Sequence, residues 1–430
     1  MRILVAPAST RFSPEAGSED GWVYDIVAGV AAMGPNCRFT CIAEQAAGPA
    51  PEGVRVIAIG KRRTQEIGGL LLPLRVARAA KVGGLLDKVD VVHHALPFAI
   101  GRSFSLLALR ARKLGLPLVI GPLQSPLQWV GPDEVGRELV SGGPRPVQKV
   151  ATAVAQATWP AAKTALSQLS ARTLCQADRV VVISEHARAL VESAGVAPHK
   201  TELIPPPMRV PPRPPGTRSS RPGPLRLVTA GYLIERKGVC DIVAAVAALA
   251  TAGEELLLEV AGDGPAAPAL RNQARDLGVG GAISFRGWLS RPELAGLLKD
   301  AHAYVSMSRA ESWGQAVADA LASGLVVISA DNEGARSMAA LGAPLRLVPS
   351  GDPRRLADEL RRLCHTPRNI LGRDGDAGAL WATEHLTRAV IAGRWAELYG
   401  NVLDQAKQLK QSGHMPAGVT HGRAIPREGM

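Results

Sequence analysis

The residues from Pro205 to Pro224 restrict the fold of this chain more than any other stretch, because nine of these twenty residues are proline. Proline donates no main-chain hydrogen bond and fixes φ, which excludes a helix or an inner strand across the run. The composition therefore predicts a stiff, extended linker between two parts of similar size. A length of 430 residues agrees with two or three domains.

Both parts alternate short β-branched runs with longer runs rich in alanine and leucine. Strands in the first part are predicted at Arg2–Ala6, Arg38–Ala43, Val54–Ala58, Val89–His93, Pro117–Gly121 and Arg179–Ser184. Strands in the second part are predicted at Leu225–Ala230, Leu256–Ala261, Ala282–Phe285, Ala303–Ser306 and Val326–Ser329. The helices predicted between the latter are Asp241–Ala250, Ala266–Leu277, Arg291–Lys299 and Gln315–Ser323. Such alternation predicts an α/β fold with two Rossmann-like domains on parallel sheets, facing a cleft. Ligands bind such sheets beyond the carboxyl ends of their strands.

The same patterns give the predicted domain boundaries. The first domain covers 1–204, and helices at 378–405 are expected to return to it. The linker is 205–224 and the second domain is 225–377. An insertion is expected from Ser141 to Cys175, and 410–430 is an expected disordered tail.

The composition favours an anionic partner. Lys and Arg number 50 against 38 Asp and Glu, which gives a formal net charge of +12. Nucleic acid, an acidic membrane surface and a phosphorylated small molecule are all compatible with this charge. Only 4% of residues are aromatic and no nucleic-acid-binding motif occurs, so nucleic acid is disfavoured. The five scattered cysteines predict neither disulfides nor a metal site, and the absence of a targeting segment predicts a cytoplasmic location.

The most informative segment runs from Ala303 to Asp331, where a predicted strand, a short loop and a predicted helix follow one another. Glu311 lies in the loop, and Asp319 follows eight residues later on the helix. Along a helix of ~1.5 Å rise per residue, this spacing suits one extended ligand with hydroxyls at both ends. The free amides at the helix start, around Gly314 to Ala316, favour an anion between them. A sugar nucleotide has that layout.

Two further strand ends carry candidate groups. Arg236 and Lys237 are adjacent cations after the strand that ends at Ala230, where they can neutralise a diphosphate without a metal. Gly262 and Gly264 follow the next strand in a weak dinucleotide-type pattern. No acidic residue ends the strand after it, so NAD-type binding is not predicted.

Taken in order, these segments resemble the retaining glycosyltransferases of family 4 (glycosyl transferases group 1), which have the GT-B fold. The similar segments are Ala230 to Gly238 for the family's G-R-L…K-G loop, Ala261 to Pro265 for its G-x-G-P turn, Phe285 to Trp288 for its F-x-G segment and Glu311 to Asp319 for its glutamate-seven-residues-glutamate motif. In the first part they are Gly17 to Trp22, Ala177 to Ser184 and Lys200 to Pro206. The resemblance spans about residues 1 to 405.

The resemblance implies a nucleotide-diphosphate sugar as donor substrate, a hydroxyl acceptor, no cofactor and no metal. It implies catalytic roles for Glu311, Lys237 and Arg236, with Glu311 holding the transferred sugar and the cations binding the diphosphate. It implies that Asp319 contacts the ribose and Trp288 borders the base. The other donor-binding residues that it implies are Gly17, Glu19, Gly231, Gly262, Gly264, Ser312, Trp313, Gly314, Gln315 and Ala316.

Three positions depart from the family pattern. Tyr232 stands in place of the loop arginine, Asp319 is one methylene shorter than the usual glutamate, and Gln124 lies near the place of a histidine. These changes leave open a second reading, a GT-B relative that has lost activity and serves as a partner protein.

Simpler interpretations also stay open for single residues. Glu311 could cap a helix, Asp319 could be solvated surface and the two cations could lie on a solvated turn. His93 and His94 end a strand and point to opposite faces, one toward the core and one toward the cleft, and either could act as a catalyst. Asp374 and Asp376 are predicted to lie in a turn.

The first part also offers a basic surface. Lys61-Arg-Arg63 precedes a weakly amphipathic stretch from Ile67 to Leu86, and a second basic helix follows. The basic residues on these stretches are Arg75, Arg78, Lys81, Arg102, Arg110, Arg112 and Lys113. A peripheral contact with anionic lipid at the inner membrane face and a solvated helix flank both fit this pattern. The acceptor classes considered are a specialised metabolite, a glycolipid and a polysaccharide, and the Ala/Arg/Pro/Gly richness indicates a bacterial gene.

Overall fold

The computed structural model describes residues 1–60, 68–95, 103–125, 161, 164–214, 216 and 223–412. The predicted basic residues at 61–63 and Arg102, most of the insertion from Ser141, part of the linker and the tail beyond 412 lie outside the described residues. The chain divides into two compact units, Met1–Pro206 with Ile391–Met430, and Pro207–Val390.

Unit 1 is built on a parallel sheet of seven strands in the order β3-β2-β1-β4-β5-β6-β7. Its strands are β1 Arg2–Phe12, β2 Arg38–Ala46, β3 Val54–Ala58, β4 Val91–His94, β5 Leu118–Leu123, β6 Arg179–Val182 and β7 Thr201–Leu203. Its helices are α1 Ser18–Ala32, α2 Gly68–Val82, α3 Leu106–Lys113, α4 at 164–175 and α5 Glu185–Ser193, with single 3-10 turns at Leu86–Lys88 and Pro198–Lys200.

Unit 2 holds a parallel sheet of six strands in the order β10-β9-β8-β11-β12-β13. The strands are β8 Leu225–Ala230, β9 Leu256–Ala261, β10 Ile283–Gly287, β11 Ala303–Ser306, β12 Val326–Ala330 and β13 Leu345–Val348. The helices are α6 Val239–Thr251, α7 Ala267–Asp276, α8 Arg291–Asp300, α9 Gln315–Ala322, α10 Glu333–Ala340, α11 Pro353–His365 and α12 Arg368–Leu386, with a 3-10 turn at Glu235–Lys237. Helix α13, Arg388–Gln411, crosses the boundary at Ile391 into unit 1.

Helix α13 joins unit 1 through its aromatic side chains. Trp395 and Tyr399 are buried in the same core as β1, β2 and β4. Tyr399 contacts Phe39 edge-on, and its hydroxyl lies 2.8 Å from Nδ1 of His93. These contacts attach α13 to unit 1, whose second segment begins at Ile391.

The proline-rich segment packs on unit 2 at its beginning. The amide of Met208 donates to the carbonyl of Leu386 at 2.8 Å, and that of Arg213 donates to Ala322 at 2.8 Å. Met208 and Val210 are buried. The described part of the segment contains no helix or strand, as the prolines require, and Met208 and Arg213 hydrogen-bond it to the ends of α12 and α9.

The predicted turn around Asp374 and Asp376 is wrong, because both residues lie inside α12. A side chain at Gly375 would overlap the carbonyl of Gly324, and one at Gly378 would press on Leu321. These two glycines let α12 approach α9 and the turn after it closely. Burial of this helix face therefore overrides the local preference of a Gly/Asp run for a turn.

Candidate functional site

The candidate site of unit 2 lies at the carboxyl ends of its central strands. Strand β8 is followed by Gly231 and the 3-10 turn Glu235–Lys237, and β11 is followed by the loop that leads to α9. Strands β8 and β11 are neighbours in the sheet. Parallel neighbours end at the same edge, so the two loops meet there.

Glu311, Lys237 and Arg236 form the charged centre of this edge. Lys237 Nζ lies 2.6 Å from Glu311 Oε2, and the Arg236 guanidinium lies 3.8 Å from the same oxygen. Arg236 also donates to the carbonyl of Ala310. The three side chains are between 19% and 24% exposed, so they are neither solvated nor isolated in the core. The interpretation of a solvated turn is thereby excluded.

Gly238 brings the two loops together. Its φ is +60°, in the left-handed region, and a Cβ there would overlap the carbonyl oxygen of Met307. Only glycine combines this conformation with this approach at low cost. The position of the cationic turn against the Glu311 loop therefore depends on a glycine.

The glycines after β8 and β9 also serve loop packing. The amide of Gly231 donates to Ala261, and that of Gly262 donates to Gly287 at 2.7 Å. A side chain on Gly262 would overlap the carbonyl of Gly231, and one on Gly264 would overlap the main chain of Leu233. The predicted donor-binding glycines thus let three loops lie in contact at the carboxyl edge of the sheet.

Helix α9 begins at this edge without a side-chain cap. Its N-cap is Gly314, with φ of +94°. The Glu311 carboxylate pairs with Lys237 and Arg236, which disfavours helix capping as its function. The amides of Gln315 and Ala316 are in its first turn, where a helix favours negative charge.

Ser312 and Trp313 are directed into the protein. Both are buried, and Trp313 is among the largest fully buried side chains. The Trp313 carbonyl also lies where a side chain on Gly334 would stand. Their side chains therefore help to hold the loop in place and are not exposed to a ligand.

Asp319 is buried and its carboxylate already has partners. Oδ1 accepts from the amide of Arg209 at 2.8 Å and from the Gln315 side chain at 3.2 Å. Burial raises the pKa of Asp319, while hydrogen bonds from the amides of Arg209 and Val210 oppose the shift. The interpretation as solvated surface is wrong, and the side chain holds the segment at 207–210 on α9.

Two aromatic side chains stand exposed near these loops. Trp288, one residue after β10, is 74% exposed, and Tyr232, two residues after β8, is 56% exposed. Tyr232 carries no charge in place of the family's arginine, and Arg236 supplies the second cation beside Lys237.

In unit 1 the predicted residues gather at the start of α1. Gly17 is the N-cap of α1, has no side-chain cap and has open space where a Cβ would stand. Glu19, in the first turn, accepts a hydrogen bond from the side chain of Gln124 after β5. Burial raises the pKa of Glu19, the hydrogen bond from Gln124 opposes the shift and the charge of Asp20 adds to it.

His93 is a core residue. Its Nε2 lies 2.6 Å from the carbonyl of Gly121, so Nε2 carries the proton and Nδ1 accepts from Tyr399. Burial lowers the pKa of His93 to about 4. A neutral imidazole with both nitrogens engaged is not suited to proton transfer, which excludes the catalytic alternative for this residue.

Sequence reasoning missed Arg309. It lies two residues before Glu311 and contacts the turn that carries both cations. No motif marks it, because its partners lie more than sixty residues away in the chain.

Within the described residues, no three His, Cys, Asp or Glu side chains are grouped as metal ligands would be. Over the same residues, the helices include none with the length and hydropathy of a membrane span.

Two family models match the chain. The model of glycosyl transferases group 1 matches residues 218–375, and that of the glycosyl transferase 4-like domain matches residues 22–207. The lipopolysaccharide core biosynthesis glycosyltransferase LpsE of Rhizobium meliloti is 30% identical over 139 residues, which are 32% of this chain and 38% of LpsE. The match thus spans well under two thirds of that relative.

Several solved structures match nearly the whole length of the chain, whereas the match to LpsE covers about a third of it. Sucrose-phosphate synthase from Thermosynechococcus elongatus has a TM-score of 0.63 at 18% identity, covering 94% of this chain and 99% of that chain. HepE of Anabaena in complex with UDP has a TM-score of 0.60 at 16% identity, covering 93% of this chain and 100% of that chain. At such identities the likeness shows the fold alone, and the predicted GT-B fold is confirmed.

Proposed function

We propose that this chain, which belongs to the group 1 glycosyltransferases, transfers a sugar from a nucleotide-diphosphate sugar to a hydroxyl acceptor, with retention of configuration and without a metal. The observation that carries the proposal is the group of Glu311, Lys237 and Arg236 at the carboxyl edge of the second sheet. It supplies one acid for sugar hydroxyls and two cations for a diphosphate.

The reaction needs the diphosphate to leave with its charge neutralised. Lys237 and Arg236 would contact its oxygens, and the amides at the start of α9 would add the helix dipole. The bond between the anomeric carbon and the diphosphate breaks on the face where the acceptor oxygen forms its bond. The acceptor proton passes to the departing diphosphate oxygen, so no protein nucleophile is required.

The nucleotide end is proposed to lie toward Trp288 and the loops after β9 and β10. For Asp319 the resemblance implies ribose contact, whereas its hydrogen bonds to the 207–210 segment favour a positioning role. A uridine nucleotide is the first donor to test, since HepE is described in complex with UDP.

The position of Arg236 favours an active enzyme over a partner protein that has lost activity. The missing loop arginine at Tyr232 is the main reason for that alternative. Because Arg236 lies 3.8 Å from Glu311, the site retains two cations.

A glycolipid or polysaccharide acceptor is proposed, in keeping with the name of LpsE, at the cytoplasmic face of a membrane. Helices α2 and α3 are in contact and present exposed basic and apolar side chains. These are Leu74, Arg78, Lys81 and Val82 on α2, and Arg110, Lys113 and Leu114 on or directly after α3. Two other arginines of the predicted surface, Arg75 and Arg112, pair with Glu44 and Asp178 instead.

The proposed function is tested by measuring the rates of sugar transfer and of donor hydrolysis with UDP-, GDP- and other activated sugars, each in the presence and absence of EDTA. Turnover that survives chelation supports the metal-independent reaction. Loss of all turnover in EDTA, restored by magnesium or manganese, contradicts it. Nucleotide binding without turnover from any donor and acceptor would favour the partner protein.

A further inference from the structure

The two cations of the site stand on a structurally weak element. Arg236 and Lys237 belong to a 3-10 turn of three residues, Glu235–Lys237, whose main-chain bonds are Lys237 to Ile234 and Gly238 to Glu235. Short 3-10 turns have poor hydrogen-bond geometry and little stability of their own. Contacts from outside must therefore hold the main chain of the turn in place, and with it the positions from which both cationic side chains extend.

Arg309 supplies those contacts from the neighbouring loop. Its amide donates to the carbonyl of Arg236 at 2.8 Å, and its Nη1 donates to the carbonyl of Glu235 at 2.9 Å. Its Nη2 lies 3.4 Å from Oδ2 of Asp241, in the first turn of α6. One residue thus joins the cationic turn, the following helix and the loop that carries Glu311.

The geometry of these bonds depends on a guanidinium. A planar fork presents two nitrogens at once, here to a carbonyl and to a carboxylate, whereas a lysine ammonium presents a single point charge. The Asp241 side chain is 13% exposed and that of Arg309 is 41% exposed, so solvent screens their pairing in part. Both terminal nitrogens of Arg309 are directed at protein groups.

We infer that Arg309 is a positioning residue for diphosphate binding, which acts by holding the Glu235–Lys237 turn and does not contact the donor. The inference rests on the proposed function. Misplacement of a charged group by about 1 Å can cost up to about a hundredfold in an enzyme site. Release of the turn is therefore expected to weaken binding of the diphosphate and to leave the binding of the nucleoside unchanged.

The test is calorimetric binding of UDP or GDP, whichever the wild type binds, and of the matching nucleoside. The variants are R309Q, R309K and D241N, with R346Q as control. Arg346 pairs with Asp374 at 2.9 Å and, at 32% side-chain exposure, is comparable with the 41% of Arg309. R309Q and D241N are each expected to bind the nucleoside diphosphate about tenfold more weakly than the wild type. R309K should bind it about as weakly as R309Q, and R346Q should keep the wild-type affinity.

The outcomes separate the inference from the function. Wild-type affinity for the diphosphate in both R309Q and D241N overturns the inference and leaves the proposed function standing. Full rescue by R309K with no effect of D241N also overturns it, since Arg309 would then bind the phosphate itself. A wild type that binds no nucleoside diphosphate overturns the proposed function. If R309Q does not fold, D241N tests the same contact from the other side, and melting temperatures identify losses that are only structural.

Discussion

Replacing Glu311 by glutamine separates the two functions proposed for the charged centre. The carboxylate lies 2.6 Å from Lys237 Nζ and 3.8 Å from Arg236. It is therefore expected to hold the sugar and also to compete with the diphosphate for both cations. E311Q should lower transfer by at least about a hundredfold, as loss of one well-placed polar group at a reacting centre does.

The same substitution should raise the affinity for the nucleoside diphosphate. The side chains of Lys237 and Glu311 are 24% and 19% exposed, which places their pairing between a solvated ion pair and a buried one. Removing the competing charge should contribute about 1 kcal/mol, or about fivefold in affinity. Steady-state transfer and calorimetric binding of UDP or GDP measure the two effects.

Glu254 offers a matched control for this experiment. Its side chain is 17% exposed and lies 3.0 Å from His365 and 3.9 Å from Arg361, between α6 and β9. E254Q should change neither quantity. The reasoning is refuted if E311Q keeps near-wild-type turnover, or if its affinity for the nucleoside diphosphate falls together with turnover.

Three further predictions concern the fold and the basic surface. G238A should lower the free energy of unfolding, measured by urea denaturation, by about 2–3 kcal/mol, because the added Cβ overlaps the carbonyl of Met307. Gly253 has φ of +84° and open space around it, so G253A should lower the free energy of unfolding by less. Equal losses in the two variants would contradict the packing argument. Folding lowers the pKa of His93 from 6.5 to about 4, so its contribution, up to about 3 kcal/mol, is present above pH 6.5 and lost as the pH falls toward 4. H93Q should flatten the pH dependence of unfolding in that range, and an unchanged profile would show that His93 does not cause it. The chain should float with vesicles of anionic lipid at low salt and be released at high salt, because each basic residue near the membrane contributes about 1 kcal/mol to the free energy of binding. K81E should weaken flotation, and no flotation at low salt would favour a soluble acceptor.

The alternation of the sequence was enough to predict most strands of both sheets. Strands β3, β8, β9 and β11 have the predicted bounds. The inner strands β8, β9 and β11 are mostly buried, and apolar runs with clear ends are typical of such strands. The short edge strands β7 and β13 were missed. Both lie at the edge of their sheet and keep partly exposed side chains, so neither shows the continuous buried run of an inner strand.

The motifs of the sequence also predicted which charged groups the structure brings together. Glu311, Lys237 and Arg236 follow adjacent parallel strands, and chain direction alone carries their side chains to one edge of the sheet. The sequence could not determine the bonds between distant segments that give Asp319 and Arg309 their surroundings. Asp319 meets the amide of Arg209 across 110 residues, and Arg309 meets Glu235 across 74. Such partners depend on how loops pack in three dimensions, and the residue types at either end carry no local signal of the pairing.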